Sequence, residues 1–255
     1  KECKKNNIDF MTSPYDLDYV DKVEKYIVAY KIGSGDITWK EIIKKIEKKN
    51  KPIFLATGAS SLQDVKNAMK ILTKRKKVVL MQCNTNYTDS NDNFDYININ
   101  VLNTYKKLFK DKIILGLSDH TKGHATVLGA VALGARYIEK HFTDDNSREG
   151  PDHLFSMNPR TWLDMVIETK KLERSIGDGL KIIEKNEKDS AIVQRRAAYA
   201  SKNILKGDKI KKLDVVFLRP CPKNSFTGFD EDKLYGKRAS RNIRRGELIN
   251  FKCLT

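Results

Sequence analysis

Two histidines, His120 and His141, carry the strongest chemical signal in the sequence. His120 follows the apolar run Ile113–Leu117 and His141 lies in Tyr137–Phe142, and both runs read as β-strands. Along Tyr137–Phe142 the two-residue alternation sets Tyr137, Glu139 and His141 on one face. Two neutral imidazoles at neighbouring strand ends, beside Asp119, would make good ligands for Mn²⁺, Zn²⁺ or a similar ion. The plainer alternative is a pair of core histidines satisfied by hydrogen bonds. His124 and His153 fall in loop or helix positions and carry less.

Lys31 precedes Gly33-Ser34-Gly35 at another strand end. A lysine pointing into a protein interior needs an anion, so a phosphate or carboxylate is its natural partner. The N–H groups of the glycine turn and the Ser34 hydroxyl would add donors. The ordinary reading is one more solvated lysine in a lysine-rich chain. Asp144, Asp145, Arg148 and Asp152 follow His141 in a Gly-Pro loop, where substrate contacts and turn-capping are equally natural roles. Arg219-Pro220 presents a guanidinium on a stiff backbone.

What must position these groups is an alternation of strands and helices. Strands are expected at Ile8–Met11, Ile27–Ile32, Ile53–Ala56, Val78–Gln82, Ile113–Leu117 and Tyr137–Phe142. Helix starts are marked by Thr38-Trp39-Lys40-Glu41, which reads as a capping box, by Ser61-Leu62-Gln63-Asp64, which opens a segment with Val65, Ala68, Met69 and Leu72 on one face, and by Asn158-Pro159. Such βα units imply a parallel sheet. Polar groups recur after successive strands (Lys31 to Asp36, Thr57-Gly58, Asn84 to Tyr87, Ser118-Asp119-His120, His141), which favours a (β/α)₈ barrel over a doubly wound sheet. Six strands rather than eight imply that about the first two βα units of such a barrel are missing. The opening Lys1-Glu2-Cys3-Lys4, which lacks Met and reads like the middle of a helix, agrees.

After Gly177-Asp178-Gly179 the character changes. Ala200 to Ile210 recurs as Ala239 to Ile249, each copy reading as strand, glycine turn and short strand. The expected division is a barrel over 1–176, a linker over 177–192 and a small pseudo-symmetric β-rich domain over 193–255.

Composition narrows the function classes. In 255 residues, 49 Lys+Arg against 33 Asp+Glu give a net charge of +16. The basic runs at Lys44 to Lys51, Lys74 to Lys77 and Lys106 to Lys112 sit near helix ends at intervals, as solvated helix faces do. No nucleic-acid motif accompanies them, so no nucleic-acid partner is expected. The longest apolar run, Val127–Ala135, is far too short to span a bilayer. Four scattered cysteines without a CxxC pair point to reduced thiols and a cytoplasmic setting.

The strings Thr12-Ser13-Pro14-Tyr15-Asp16, Tyr30 to Asp36, Leu55-Ala56-Thr57-Gly58, Gln82 to Tyr87, Gly116 to Thr121, Ile138 to Thr143, Gly150-Pro151-Asp152-His153, Arg219-Pro220 and the two repeat halves occur in order along the chain. With them the sequence resembles the N-acetylneuraminate (sialic acid) synthase family, including its C-terminal antifreeze-like (SAF, β-clip) domain. The resemblance implies condensation of phosphoenolpyruvate with an N-acylated hexose of the N-acetylmannosamine type, releasing phosphate. It implies a divalent metal on His120 and His141, Mn²⁺ foremost with Mg²⁺ and Co²⁺ as alternatives, that polarises the sugar's carbonyl. It also implies phosphoenolpyruvate contacts from Thr12, Lys31 and Ser34, sugar-side positions at Thr85, Tyr87 and Asp152, and an active-site acid at Asp36. Arg219 would reach the sugar's N-acyl group from the SAF domain of the partner in a domain-swapped homodimer.

Three departures accompany the resemblance. Ala56 stands where some members carry a phosphate-contacting Ser, and Thr85 replaces Asn or Ser. The acidic residue and phosphate-binding lysine of the family's first two strands have no counterpart, so an incomplete, inactive chain is one expectation. Sister synthases for legionaminic, pseudaminic or spore-coat sugars are the nearest alternative, followed by a non-catalytic homologue.

Overall fold

The short apolar runs pair side by side, each with the next one along the chain. In the computed structural model, which describes residues 1–72 and 78–255, Tyr30–Ile32 (β1), Ile53–Ala56 (β2), Val78–Cys83 (β3), Ile113–Asp119 (β4) and Tyr137–Lys140 (β5) form a parallel sheet in that order. Parallel neighbours need a crossover between them. A short turn of helix, Glu2–Lys5 (α1), and Leu17–Val23 (α2) precede the sheet. Lys40–Glu47 (α3), Leu62–Ile71 (α4), Val101–Phe109 (α5) and Ala125–Ala132 (α6) lie between its strands, and Pro159–Ile176 (α7) follows it.

Capping fixes several helix starts. Ser61 and Asp64 form a reciprocal capping box at the expected start of α4, and Asn158 caps α7 with Pro159 in its first turn. The box expected at Thr38 does not form. A 3₁₀ turn over Ser34–Asp36 delivers the Trp39 N–H to the Asp36 carbonyl at 2.9 Å, so Trp39 is the N-cap of α3 and no side chain caps it.

Alternation divides each strand between two environments. Tyr30, Ile32, Ile53, Leu55, Val78, Leu80, Leu115 and Leu117 join Ile42, Ile43, Ile46, Val65 and Leu102 from the helices in one buried core. Each fully buried aliphatic side chain contributes about 1.5–3 kcal/mol. The intervening residues face the other side, which is concave. Strands spaced about 4.8 Å apart would put β1 and β5 roughly 19 Å apart in a flat sheet. Instead Lys31 Nζ of β1 meets Glu139 Oε2 of β5 at 2.6 Å. The rings of Phe54 (β2) and Tyr137 (β5) meet edge-on at 4.9 Å although two strands lie between them. The sheet is therefore strongly curled. Gly116 permits the curl: a Cβ there would come within 2.9 Å of Met81 Cγ and 3.1 Å of the Tyr137 carbonyl.

Ile8–Met11 is not the strand that its composition suggests. Thr12 makes an isolated bridge to Tyr30, and the Val28 N–H donates to the Phe10 carbonyl at 3.2 Å. Ile8 and Phe10 are 61% and 43% exposed, so no burial rewards an extended ladder there. The last strand also ends sooner, at Lys140, and Phe142 bridges to Met157 instead.

The chain separates into two units, Lys1–Asp178 and Gly179–Thr255. Gly177, at φ +64°, ends α7 in a conformation that suits glycine. The stretch read as a linker contains a 3₁₀ turn and Lys188–Val193 (α8). Beyond it, Ala197–Ala200 (β6) pairs antiparallel with Val215–Leu218 (β7), and Glu231–Leu234 (α9) follows. The repeat copies interlock. The Lys206 N–H donates to Asn242 Oδ1 and the Arg245 N–H to Asn203 Oδ1, both at 2.8 Å, and these are equivalent positions of the two copies. Ile204 bridges its counterpart Ile243, and Ala200, Ile210, Ala239 and Ile249 share the core of this unit with them.

Among the basic runs, Lys44 and Lys45 occupy the last turn of α3, and Lys106 and Lys107 that of α5. Lys45 and Lys49 both pair with Asp21, at 2.7 and 2.6 Å. The run Lys74 to Lys77 lies outside the described residues. Among those described, no helix is long and apolar enough to cross a membrane. Cys3, Cys83, Cys221 and Cys253 are all free thiols.

Candidate active site

The concave side of the sheet, at the C-terminal ends of the strands, opens as a cavity of about 400 Å³. Lys31, Ser34, Ala56, Cys83, Ser118 and Glu139 line it, and His120 and His141 stand beside them with Thr85 and Tyr87. The imidazoles of His120 and His141 lie 5.0 Å apart between centroids, and Tyr87 packs on the His120 ring at 4.3 Å. His120 Nδ1 faces the Asn84 carbonyl at 2.6 Å. His141 Nδ1 stands 3.5 Å from Asp152 Oδ2. Both rings also pack against the buried Phe155, at 6.1 and 5.2 Å between centroids.

Lys31 is a largely buried cation of the site, its side chain 12% exposed, and Glu139 is the anion that neutralises it. Burial pushes the Glu139 carboxyl up, but the charge and hydrogen bond of Lys31 outweigh that and hold it below the usual range. The Cys83 thiol behaves in the same way: burial raises it, while hydrogen bonds with His120 and Ser34 bring it below its ordinary value. Both shifts report local partners, Lys31 beside Glu139 and hydrogen-bond donors beside Cys83, that stabilise an anion at those positions.

The glycine turns set the cavity wall. Gly58 donates its N–H to Ser34 Oγ at 2.9 Å. A Cβ on Gly58 would collide with the Thr85 methyl and lie 2.9 Å from Ser34 Oγ and 3.1 Å from Cys83 Sγ. Gly58→Ala should therefore displace Ser34 and Thr85 together. Ligand affinity should fall about tenfold, the worth of one lost hydrogen bond, while the melting temperature changes little. Isothermal titration beside a thermal melt checks this.

Asp36, in the 3₁₀ turn after β1, is half-buried and does not line the cavity. Burial raises its carboxyl above the ordinary 3.8. Ionising it thus costs more in the folded chain than in the unfolded one. Its contribution is most favourable below pH 3.8 and is lost as pH rises through the raised value. Asp36→Asn should melt higher than the parent at neutral pH, and the difference should vanish near pH 3 in a thermal-melt series.

Not every residue singled out by sequence reaches the cavity. Thr12 sits on its bridge to Tyr30, while its neighbours Ser13 and Tyr15 line the wall. Asp152 approaches only through His141, and Arg219 belongs to the second unit. Asp144 and Arg148 pair with each other at 2.8 Å on the surface, and Asp145 accepts from Ser147 within a turn. His153 bonds Thr143 Oγ1 at 2.7 Å, and His124 is the N-cap residue of α6. Sequence reasoning named Ser118 only within the strand-end string Ser118-Asp119-His120 and gave neither it nor Cys83 a role in the site. Their signal was the same alternation that turned Glu139 inward, since Ser118 lies two residues before His120 and Cys83 ends its strand.

The donor set fits a divalent ion of intermediate softness. Nδ1 is held by a carbonyl in one ring and stands 3.5 Å from a carboxylate in the other, a supporting arrangement common to metal-ligating imidazoles, while His120 also hydrogen-bonds the Cys83 thiol. Among the described residues, no three or more His, Cys, Asp or Glu side chains stand together as a metal cage. His120 and His141 are the two residues that would hold such an ion, and two side chains alone would leave its remaining coordination positions to other ligands.

Residues 1–181 match the NeuB family, and residues 195–255 match the SAF domain. The chain belongs to the NeuB family. Among its relatives, the N,N'-diacetyllegionaminic acid synthase of Campylobacter jejuni is 35% identical to this NeuB-family chain over 252 residues, covering 97% of the chain and 73% of that protein. A Chromobacterium violaceum structure described as a spore coat polysaccharide biosynthesis protein superposes with a TM-score of 0.76 at 22% identity. It covers 100% of this chain and 76% of its own, and shows a shared fold. The sialic acid synthetase of Leptospira borgpetersenii, solved with citrate, gives a TM-score of 0.66 at 28% identity over 73% of this chain and 65% of its own.

Proposed function

We propose that this NeuB-family chain is a synthase that condenses phosphoenolpyruvate with an N-acylated hexose of the N-acetylmannosamine type, releasing phosphate and forming a sialic-acid-like nonulosonate. The observation that carries the reading is one cavity holding both a buried lysine and a pair of facing imidazoles. Those are the parts needed to hold an anionic enol ester against an aldehyde. The curled sheet is read as part of a (β/α)₈ barrel, whose chemistry collects at the C-terminal strand ends.

Lys31 and Ser34, with Thr12 behind them, hold the carboxylate and phosphate of phosphoenolpyruvate. His120 and His141 would hold a divalent ion, Mn²⁺ foremost, which when bound polarises the sugar's carbonyl oxygen. Tyr87, Thr85 and Asp152 flank the sugar, and Tyr87 packing on His120 restricts where its ring can lie. Asp36 is the acid that the family resemblance assigns to the site; burial raises its carboxyl, and because it stands outside the cavity lining it would reach the substrate only through a bridging group or water. In a domain-swapped homodimer, Arg219 would serve the sugar's N-acyl group in the partner.

A second reading concerns the sugar alone. The 35% identity with a synthase named for an N,N'-diacetylated product favours a doubly N-acylated hexose as the acceptor. A panel of N-acetylmannosamine, a 2,4-diacetamido hexose and a pseudaminic-type precursor, scored by product mass, tests both. One sugar consumed together with phosphoenolpyruvate supports the synthase and names its class. Consumption of none overturns it.

A further inference from the structure

We propose that the buried ion pair Asp119–Lys140 is a positioning clamp that fixes the backbone carrying His120 and sets its spacing from His141. The proposal builds on the two-histidine site and assigns the residues that hold the rings where they are.

Asp119 and Lys140 are register partners, the last residues of β4 and β5. The next residue on each strand is a cavity histidine. Both residues border the cavity floor, and their side chains turn back into the protein, where Asp119 meets Thr126 of α6, while the two rings stand on the cavity. The β4–β5 ladder ends at this pair; beyond it the His141 carbonyl accepts from the Met157 N–H at 2.8 Å, while on the β4 side the ladder does not reach His120.

Lys140 supplies what the ladder does not. Its ammonium, on a side chain 1% exposed, spends all three donors: on Asp119 Oδ2 at 2.7 Å, the Thr121 carbonyl at 2.6 Å and the Gly123 carbonyl at 2.8 Å. It therefore grips the residue before His120 and the residue after it. Asp119, whose side chain is fully buried, accepts from the Thr121 N–H at 3.1 Å and from the Thr126 hydroxyl of α6 at 2.6 Å. Every arm of the network ends on the segment carrying His120 or on the helix behind it.

Stability alone is a poor reason for such a network, because well-packed apolar pairs hold buried positions as well or better. A fully satisfied polar network fixes one arrangement of the backbone, and here that arrangement sets the separation of two imidazoles. A site built to hold an ion tolerates little error in that distance.

The test compares Asp119→Asn/Lys140→Met, which removes both charges together, with Thr126→Val, which removes a single hydrogen bond to Asp119. Histidine-selective ¹⁵N NMR reads the ring tautomers, thermal melts read stability, and Mn²⁺ titration followed by electron paramagnetic resonance reads the ion site. In the parent, His120 should show a single fixed tautomer. In the double variant, well below its melting temperature, the His120 and His141 signals should average while those of His124 and His153 stay. Mn²⁺ affinity should fall about tenfold to a hundredfold, as when supporting partners of metal-ligating histidines are removed. Thr126→Val should shift the same signals less.

Unchanged His120 and His141 signals in both variants would overturn the clamp, whatever happens to the melting temperature. A parent that binds no Mn²⁺ would overturn the ion site, and the tautomer spectra would still decide the clamp.

Discussion

His120→Ala and His141→Ala each lower phosphoenolpyruvate turnover by about a thousandfold, the loss expected when several kcal/mol of Lewis-acid stabilisation disappear. Neither should unfold the chain. Both rings line a cavity, so truncation enlarges that cavity, at the cost of their ring contacts with Phe155. The competing account makes them core histidines satisfied by hydrogen bonds. On that account activity would fall only as far as stability does, and the two variants would differ, because His120 is 4% exposed and the His141 side chain 31%. Equal, large losses of turnover with small changes in melting temperature separate the two. Rapid-quench single-turnover measurements, paired with thermal melts, provide the comparison.

Lys31→Met should weaken phosphoenolpyruvate binding by about a hundredfold. A hydrogen bond to a charged group contributes about 1.5–3 kcal/mol, and the substrate loses that contact. A second loss adds to the first. With Lys31 gone, Glu139 faces the cavity as an unneutralised carboxylate and repels an anionic ligand. The double variant Lys31→Met/Glu139→Gln should therefore bind more tightly than Lys31→Met alone, and a titration series over the three proteins measures the difference. Equal affinities in the single and double variants would show that Glu139 does not oppose the ligand.

Much of this site was legible because strand alternation is strict. Once Tyr137–Phe142 was read as a strand, Glu139 and His141 had to share a face, and the structure puts both on the cavity. The glycine turn after Lys31 was equally readable. The internal repeat told more than its length suggests, since Asn203 and Asn242 reciprocally cap each other's turns. Other features depend on tertiary context. Ile8–Met11 has the composition of a strand, but nothing covers Ile8 or Phe10. Thr38 offered a capping signal that the preceding 3₁₀ turn made unnecessary. The Lys31–Glu139 pair joins residues 108 positions apart, and only the curl of the sheet brings them together. The loop acids Asp144 and Asp145 proved to be turn and surface partners, a role that residue type alone could not separate from substrate contact.

The most direct test of the central claim is phosphate release from phosphoenolpyruvate by the protein as produced from its gene, measured with and without an N-acylated hexose and with and without Mn²⁺. Release that requires both the sugar and the ion is the result predicted here. Release indifferent to the sugar, or none with any N-acylated hexose, would contradict a condensation at the His120–His141 cavity.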